Sequence, residues 1–375
     1  MIYLDYAANT PADERVLAKF CETERAFFGN ANSSHAAGKS AKEKLESITA
    51  SIAEKLGVLP EEIIYTSGAS EANNLAIKGI AAASRHVGRH IISTPLEHAS
   101  VSGALTALQE KGYEIDLVDI TRDGTVDLEH LRELLRKDTV LVAVTAVDSE
   151  LGTVQPVHEI AGIIKEYPQC VLHVDGTQMI GKTEISPLCA ADMFSFAPHK
   201  FYGLNGCGIL VKKKGIVLEP LIHGGVSTTI YRSGTPALAL AAATDTALTF
   251  ALSEQEERKQ VVKQHRETLC RAFAKYEKVR VNSPAGAVPH ILNISVQGIK
   301  GSDFQKALSD CEICVSVKSA CSAPGTPSRA VFAVSRDRKN AMSSFRISLS
   351  HLTTEKEIEE FLSVFDRLYK KGVFA

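Results

Sequence analysis

The sequence lacks any run of about 20 apolar residues, the length that a helix needs to cross a membrane. The longest stretch rich in alanine and leucine, residues 236–252, is interrupted by Thr244, Asp245 and Thr246, and we predict that it forms a buried helix. The N-terminal segment 1–5 lacks the basic residues of a secretory signal. We therefore expect a cytoplasmic protein that has no membrane partner.

An excess of charge of either sign is also missing. The 42 Lys and Arg residues nearly balance the 44 Asp and Glu residues, so the net charge of −2 gives no reason to expect nucleic acid as a partner. The eight cysteines are scattered through a chain of enzyme length, which favours reduced thiols over a disulfide framework. Cys311 and Cys314 form a lone C-x-x-C pair. Without a second pair at metal spacing, we predict no metal site and interpret both as core residues of a helix-to-strand turn.

The sequence does contain an alternation of strand-like and helix-like segments. A hydrophobic content of 45% and a charged content of 23% are ordinary for globular proteins, and 375 residues suit one large and one smaller domain. Buried strands that alternate with amphipathic helices predict an α/β fold, in which a mostly parallel sheet lies between two layers of helices. The predicted strands are 62–66, 90–94, 114–118, 140–144 and 171–174, and the predicted helices are 41–56, 71–83, 100–111, 128–136 and 157–166.

A second unit is predicted to follow a long helical stretch at residues 237–275. It is a compact α+β domain, with strands at 291–296, 314–317 and 345–349 and helices at 301–310 and 354–370. In the parallel sheet of the first unit, ligands are expected beyond the carboxyl ends of the strands.

Lys200 and Asp175 are the two residues that point to a cofactor. Lys200 ends an apolar run that begins at Met193, and Asp175 follows the predicted strand 171–174. Pyridoxal phosphate needs an amine for its Schiff base and a carboxylate that keeps its pyridine nitrogen protonated, so that the ring acts as an electron sink. Either residue alone also fits a simpler role, because most lysines are solvated and a strand-end Asp often caps the next helix.

Two further segments follow predicted strands. The small residues around Ala69 and Ser70 open a helix whose first N–H groups suit an anion, although Ser70 as a plain N-cap is an alternative. His98 follows the strand 90–94. An imidazole there can stack on a planar ring and exchange protons, or it can be a loop histidine bonded to the backbone.

Asp148 and Gln178 are placed to reach the cofactor's phenolic oxygen, with turn chemistry as the alternative for these positions. The segment 232–235 fits a phosphate or carboxylate, or is a plain loop. Cys321 lies within residues 318–328, which are small, polar and turn-forming and predict an exposed, mobile loop. A free thiol in such a loop is a candidate nucleophile, and an inert surface thiol is the alternative.

Together, and in this order, these segments resemble the cysteine desulfurases of the NifS/IscS type, which are class-V aminotransferases among the fold-type-I pyridoxal-phosphate enzymes. The resemblance runs from residues 3–11 to residues 348–354. It implies a fold-type-I transferase whose large domain, 13–255, contains a mostly parallel seven-stranded sheet sandwiched by helices. It also implies a smaller α+β domain, formed by residues 1–12 and 256–375, that carries the catalytic cysteine loop.

The resemblance implies roles for individual residues as well. Lys200 holds the cofactor as a Schiff base and moves protons, Asp175 pairs with the pyridinium nitrogen, and His98 stacks on the ring. Cys321 attacks the substrate sulfur and carries it away as a persulfide. The other implied contacts are Ala69, Ser70 and His199 at the phosphate, Gln178 at the phenolic oxygen, and Thr235, which reaches the phosphate in the partner subunit's site of an obligate homodimer.

Three positions depart from the family's pattern. Asp148 stands where the family has an asparagine at the phenolic oxygen, and a carboxylate beside a phenolate is repulsive. We therefore expect either a raised pKa for the Schiff base of Lys200 or a displaced Asp148. Ala197 replaces a serine that contacts the phosphate, a loss of about 1 kcal/mol.

His351 is the third departure, because it stands where the resemblance places an arginine for the substrate carboxylate. Arginine offers a fixed bidentate fork, whereas histidine at neutral pH carries little charge. We expect His351 to contact the substrate, with Arg346 or Arg329 as compensating cations.

The resemblance thus implies a dimeric enzyme that converts L-cysteine to L-alanine and leaves a persulfide on Cys321. The sulfur would pass to an acceptor protein, such as an iron–sulfur scaffold, for iron–sulfur cluster or thio-cofactor synthesis. The departure at His351 leaves open a related pyridoxal-phosphate lyase or aminotransferase with another amino-acid substrate. The three departures together leave open a degenerate, non-catalytic sulfur-relay partner.

Overall fold

The structure is a computed structural model that describes residues 1–318 and 325–371. Its strands are β1 (Ile2–Tyr3), β2 (Ile63–Thr66), β3 (His90–Ser93), β4 (Glu114–Leu117), β5 (Thr139–Thr145), β6 (Val171–Asp175), β7 (Met193–Phe196), β8 (Gly208–Lys212), β9 (Val279–Val281), β10 (Ile291–Val296), β11 (Ile313–Cys314) and β12 (Ser344–Ser348). Its α-helices are α1 (Glu14–Ala26), α2 (Ala36–Leu56), α3 (Ala69–Ala83), α4 (Ala99–Gln109), α5 (Leu128–Leu134), α6 (Val157–Ile164), α7 (Leu238–Ser253), α8 (Gln255–Phe273), α9 (Gly301–Ser309), α10 (Arg329–Ser335), α11 (Arg338–Met342) and α12 (Glu355–Lys371).

The main sheet has seven strands in the order β2-β8-β7-β6-β5-β3-β4. β8 is antiparallel to both of its neighbours, and the other neighbouring pairs are parallel. The predicted mostly parallel sheet is therefore confirmed. β7 and β8 are not among the strands predicted from the sequence, and β7 runs into the Pro198 turn without a distinct end signal.

Both faces of this sheet are covered by helices, as the pattern of β5 illustrates. Leu141 and Ala143 pack into the cluster formed with α3 and α4, whereas Val142 and Val144 pack with α2, α6 and α7 on the other face. This alternation follows from the period of two along a strand. Because every residue of β5 is buried, the strand is a continuous apolar run, as is usual for strands buried on both faces.

A separate apolar core joins β1, β10 and β12 to α8, α9 and α12. The helical stretch predicted at 237–275 is two helices, because Glu254 interrupts it with φ −103° and ψ 7°. Arg15 and Arg258 pair with the Glu254 carboxylate and hold this break in place. The domain boundaries at 12/13 and 255/256 stay a prediction. Within the described residues, no helix combines the length and the apolar character that a bilayer crossing demands.

Cys311 lies in the turn between α9 and β11, and Cys314 lies in β11. Both are only partly buried, so they sit at the margin of the second core and not inside it. Their local geometry matches the predicted helix-to-strand turn.

Candidate active site

A cavity of about 420 Å³ opens at the carboxyl edge of the main sheet. The segments that follow β2, β3, β5 and β7 and the last residue of β6 all reach it. The structure therefore brings together most of the residues that the sequence singled out. Those that line the cavity are Ala69, Ser70, His98, Asp175, Gln178, His199, Lys200 and Arg346.

Lys200 lies in a short 3₁₀ turn, Pro198–Lys200, directly after β7. Its Nζ donates hydrogen bonds to the backbone carbonyl oxygens of Ala7 at 3.1 Å and Ala8 at 2.6 Å. The N-terminal segment thus fixes the amine at the cavity. Sequence reasoning missed Ala7 and Ala8, since a carbonyl contact carries no side-chain signal.

Asp175 ends β6 and is only 4% exposed. Its Oδ1 accepts the backbone N–H of Thr177 at 3.0 Å, and its Oδ2 accepts an amide N–H of Asn73 at 2.8 Å. Burying a carboxylate is costly unless hydrogen bonds compensate, and these two contacts do so. Sequence reasoning also missed Asn73, whose signal is a polar residue on the buried face of α3, between Ala72 and Leu75.

Two histidines at the cavity are held in the neutral form. Burial lowers the pKa of His98. The negative charge of Asp175 raises this pKa, and the positive charge of Lys200 lowers it further. Burial, Lys200 and Lys182 lower the pKa of His199 to about 4. The Nδ1 atom of His199 is buried and lacks a hydrogen-bond partner among the described residues, so it is available to a bound group.

The segment after β2 forms an anion cradle. Gly68, and not Ser70, is the N-cap of α3, and no side chain caps this helix end. A Cβ at position 208 would collide with the backbone of Gly68, so glycine at 208 lets the two segments meet. The first turn of α3 faces the cavity through Ala69 and Ser70.

This set of groups fits pyridoxal phosphate. The helix start with Ser70, and the unpartnered His199 nitrogen, suit the phosphate. Lys200 supplies the amine and Asp175 supplies the carboxylate for the pyridine nitrogen. The cavity volume lies within the range of small-molecule sites.

Gln178 is held from both ends of its amide. Its Nε2 donates to the carbonyl oxygen of Ala7 at 2.8 Å, and its Oε1 accepts from Lys182 Nζ at 2.9 Å. Burial, followed by the positive charges of Lys200 and Arg346, lowers the pKa of Lys182 to about 7. Gln178 therefore lies at the cavity in a fixed orientation, and its role at the phenolic oxygen stays a prediction.

Asp148 does not lie at the cavity, where the sequence predicted that it would contact the cofactor. Its side chain is fully buried and does not line the cavity. Its carboxylate accepts the backbone N–H groups of Glu150 and Leu151 and so closes the turn after β5. Of the two outcomes expected from the sequence, the structure favours the displaced Asp148. Burial, followed by the charge of Glu150, raises the pKa of Asp148 to about 7.

His351 also differs from expectation, because it lies outside the cavity lining. Its ring packs edge-on against Tyr202 with centroids 4.7 Å apart. Burial, followed by the charge of Arg258, lowers its pKa to about 4, so the ring is neutral at physiological pH. His351 instead lines a smaller hollow together with Lys200 and Tyr202, and its predicted contact with the substrate stays a prediction.

Arg346, in contrast, lines the cavity and is 2% exposed. It pairs with Asp5 at 2.7 Å and donates to the carbonyl oxygen of Ser149 at 2.8 Å. Its Nε is buried without a hydrogen-bond partner among the described residues. Arg329 lies outside this cavity, where it contacts the Glu97 carbonyl and the Ser102 hydroxyl.

Thr235 is exposed and does not line the cavity of its own chain. Cys321 lies outside the described residues. Lys318 precedes Cys321 in the sequence and Thr326 follows it. The Lys318 ammonium donates to the carbonyl and hydroxyl oxygens of Thr326 at 2.9 and 2.6 Å. Lys318 and Thr326 line a second hollow that also has His98 on its wall.

Comparisons with known proteins agree with this arrangement. The sequence profile described as "Aminotransferase class-V" matches residues 2–361. The "NifS/IcsS protein homolog" of Lactobacillus delbrueckii subsp. bulgaricus is 36% identical over 375 residues, which covers 99% of this chain and 97% of that protein. The "Cysteine desulfurase IscS" of Dictyoglomus turgidum is 33% identical over 374 residues, 99% of this chain and 95% of the other. A solved structure described as "NIFS-LIKE PROTEIN" covers 100% of both chains with a TM-score of 0.90 and 32% identity.

The substitution Asp148→Asn tests the turn role of Asp148. The amide oxygen can still accept from the turn, whereas the buried charge is removed. Because the pKa of about 7 lies above the ordinary value of 3.8, ionisation destabilises the folded protein above pH 7, and this effect fades as the pH falls towards 4. We expect the variant to be more stable by about 1–3 kcal/mol at pH 8 and by less at pH 5, as measured by urea denaturation. An equal difference at both pH values would contradict the buried-charge account.

Proposed function

We propose a function from the premise that the chain belongs to the class-V aminotransferase family and, within it, to the cysteine desulfurases of the NifS/IscS type. The protein is a pyridoxal-phosphate-dependent cysteine desulfurase that converts L-cysteine to L-alanine and carries the sulfur as a persulfide on Cys321. The observation that carries this conclusion is the convergence of Lys200, Asp175 and His98 on one cavity beside an anion cradle.

When bound, pyridoxal phosphate supplies an electron sink for the α-carbon of the substrate. In our proposal, Ala69, Ser70 and His199 hold its phosphate, Asp175 keeps its ring nitrogen protonated, and Gln178 contacts its phenolic oxygen. These residues line one cavity, and the buried Asp175 carboxylate is already oriented by two hydrogen bonds. The protein therefore supplies the cofactor with a preorganised charge environment.

Lys200 and His98 are the proton-handling groups. The Lys200 amine holds the cofactor and then, once substrate displaces it, moves a proton at the α-carbon. Arg346 orients the substrate carboxylate, with its guanidinium already anchored by Asp5 and the Ser149 carbonyl. An anchored guanidinium loses little rotamer freedom when it binds a second carboxylate.

Cys321 supplies the nucleophile. Its thiolate attacks the substrate sulfur, so that an S–S bond forms as the C–S bond breaks. The carbon that loses the sulfur takes up a proton, and the product leaves as alanine. Lys318 and Thr326, the described residues on either side of Cys321, line a hollow that also has His98 on its wall.

The three departures from the family's pattern no longer favour the alternative functions. Asp148, Ala197 and His351 do not line the cavity, and each has a structural setting of its own. Arg346 remains as the cation for an amino-acid carboxylate. The geometry therefore gives no specific support to a degenerate relay protein or to an aminotransferase with another substrate.

A homodimer is the proposed assembly. The segment before Thr235 exposes large apolar side chains, with exposed fractions of 41–74% for Val217, Leu221, Ile222, Val226 and Ile230. Their number within 14 residues of sequence favours a contact with another protein chain. Thr235 lies next to this segment and outside its own cavity, which supports a role in the site of a second copy. The persulfide would then pass to an acceptor protein of iron–sulfur or thio-cofactor synthesis.

Release of alanine and sulfide from L-cysteine with a reductant tests the reaction. We expect Cys321→Ser to lower both products by at least about 100-fold while the cofactor's visible absorbance stays, because only the nucleophile is removed. Lys200→Ala should lose both the absorbance band of the lysine-bound cofactor and the activity. Full alanine production by Cys321→Ser would refute the proposed nucleophile.

Arg346→Lys tests the carboxylate contact. Lysine keeps the charge that Asp5 needs but loses the bidentate fork, so we expect KM for L-cysteine to rise about tenfold or more with a smaller change in kcat. His351→Gln serves as the matched control and should leave KM within about twofold, because His351 lies outside the cavity. The reverse pattern would return the carboxylate role to His351.

Mixed dimers test the role of Thr235 across the interface. In a dimer of Lys200→Ala with Thr235→Val, the only intact lysine belongs to the chain that lacks the threonine hydroxyl. If Thr235 serves the partner's site, that site is complete and binds cofactor with wild-type affinity. If it serves its own site, affinity falls about fivefold, the loss of one neutral hydrogen bond. A monomer by light scattering would contradict the assembly itself.

A further inference from the structure

We propose that Asn73 and Ser100 are positioning residues that hold His98 as the neutral tautomer with its proton on Nε2 and that link this ring to the Asp175 carboxylate. The use that the reaction makes of His98 rests on the proposed function, whereas the tautomer itself does not. A chain of short hydrogen bonds joins these four residues, and the reaction proposed above makes no use of two of them, Asn73 and Ser100.

Asn73 is completely buried in α3, and all four hydrogen-bonding positions of its amide are occupied. Its nitrogen donates to Asp175 Oδ2 at 2.8 Å and to Ser100 Oγ at 2.9 Å. Its oxygen lies 2.9 Å from His173 Nε2 and accepts the Ser195 hydroxyl. A carboxylate oxygen accepts hydrogen bonds, so the nitrogen must face Asp175. The orientation of the amide is thereby fixed.

The next contact in the chain joins Ser100 to His98. Ser100 has one hydroxyl proton, and its oxygen already accepts an N–H of Asn73. The hydroxyl lies 2.9 Å from His98 Nδ1. It donates its proton there, because the backbone N–H of Ser100 already requires Nδ1 to be an acceptor. Ser100 therefore links the Asn73 amide to the imidazole.

His98 Nδ1 also receives a second donor. The backbone N–H of Ser100 points to it at 3.1 Å, because His98 is the N-cap of α4. A backbone N–H only donates, so Nδ1 is an acceptor and the proton of the neutral ring lies on Nε2. The ring thus presents an N–H donor at the cavity that His98 lines.

Burial, and not the nearby charges, is the main influence that favours the neutral ring of His98. Burial lowers its pKa, the Asp175 carboxylate opposes this, and the Lys200 ammonium adds to it. Protonation of Nδ1 would require the two Ser100 donors to leave. Removing the Ser100 hydroxyl should therefore make the cationic ring easier to form, and it should leave one amide N–H of Asn73 without an acceptor.

The experiment compares Ser100→Ala with wild type in the holoenzyme, with the ring nitrogens of histidine labelled for NMR. The His98 signals are assigned by their loss in His98→Gln. We expect the wild-type ring to carry its proton on Nε2, and we expect the pKa of His98 to rise in Ser100→Ala. Ser100→Thr keeps the hydroxyl and should restore the wild-type titration. Thr106→Ala removes an exposed hydroxyl from the same helix and serves as the control for a general effect on α4.

Kinetics provide the second measurement. We expect kcat/KM for L-cysteine to fall about three- to tenfold in Ser100→Ala, and we expect this loss to disappear in the His98→Gln background, because the effect passes through His98. A proton on Nδ1 in the wild type, or an unchanged titration in Ser100→Ala, would overturn the proposal. The proposal would also be overturned if Ser100→Ala lowered kcat/KM by the same factor in the His98→Gln background. Ring titration needs no turnover, so its result stands apart from whether cysteine is the substrate.

Discussion

The structure depends on keeping a carboxylate, an amine and an imidazole close together where little water remains. Each of these groups is costly to bury alone, and each is held by hydrogen bonds from a different part of the chain. Asp175 is held by Asn73 of α3, and Lys200 by the carbonyl oxygens of Ala7 and Ala8. The parallel sheet makes this possible because its strand ends deliver these groups to one edge.

This arrangement explains why a substitution of Arg346 is expected to affect the cavity and a substitution of His351 is not. Arg346 is anchored by Asp5 and faces the cavity, so its charge serves both the fold and a ligand. His351 is only a few residues away in sequence but packs against Tyr202 in a neutral form. Arg346 lies within β12, whereas His351 lies in the turn beyond the end of this strand, so sequence distance is a poor guide to which side chain reaches the cavity.

The fold class could be predicted from the sequence because a short apolar run such as β5, flanked by helical segments, is typical of a strand that is covered on both faces. Lys200, Asp175 and His98 could be found because each follows a strand, and a known family has the same order of motifs. Asn73 and Ser100 were missed: the pattern of α3 marks Asn73 as a polar residue on a buried face, but it does not show which groups this amide or the Ser100 hydroxyl contacts. Asp148 was misplaced for a related reason: its carboxylate closes a local turn, and sequence alone does not distinguish that from a ligand contact.

The N-terminal strand has a consequence for how the protein is made. β1 pairs with β11, so Ile2 lies beside Ile313, and Asp5 bridges to Ser348. Directly after Asp5 come Ala7 and Ala8, whose carbonyl oxygens accept hydrogen bonds from the Lys200 amine. On a ribosome, the first ten residues emerge long before their partners near the C-terminus have been synthesised. The contacts of Ile2 and Asp5 with residues 313 and 348 can therefore form only when the chain is nearly complete.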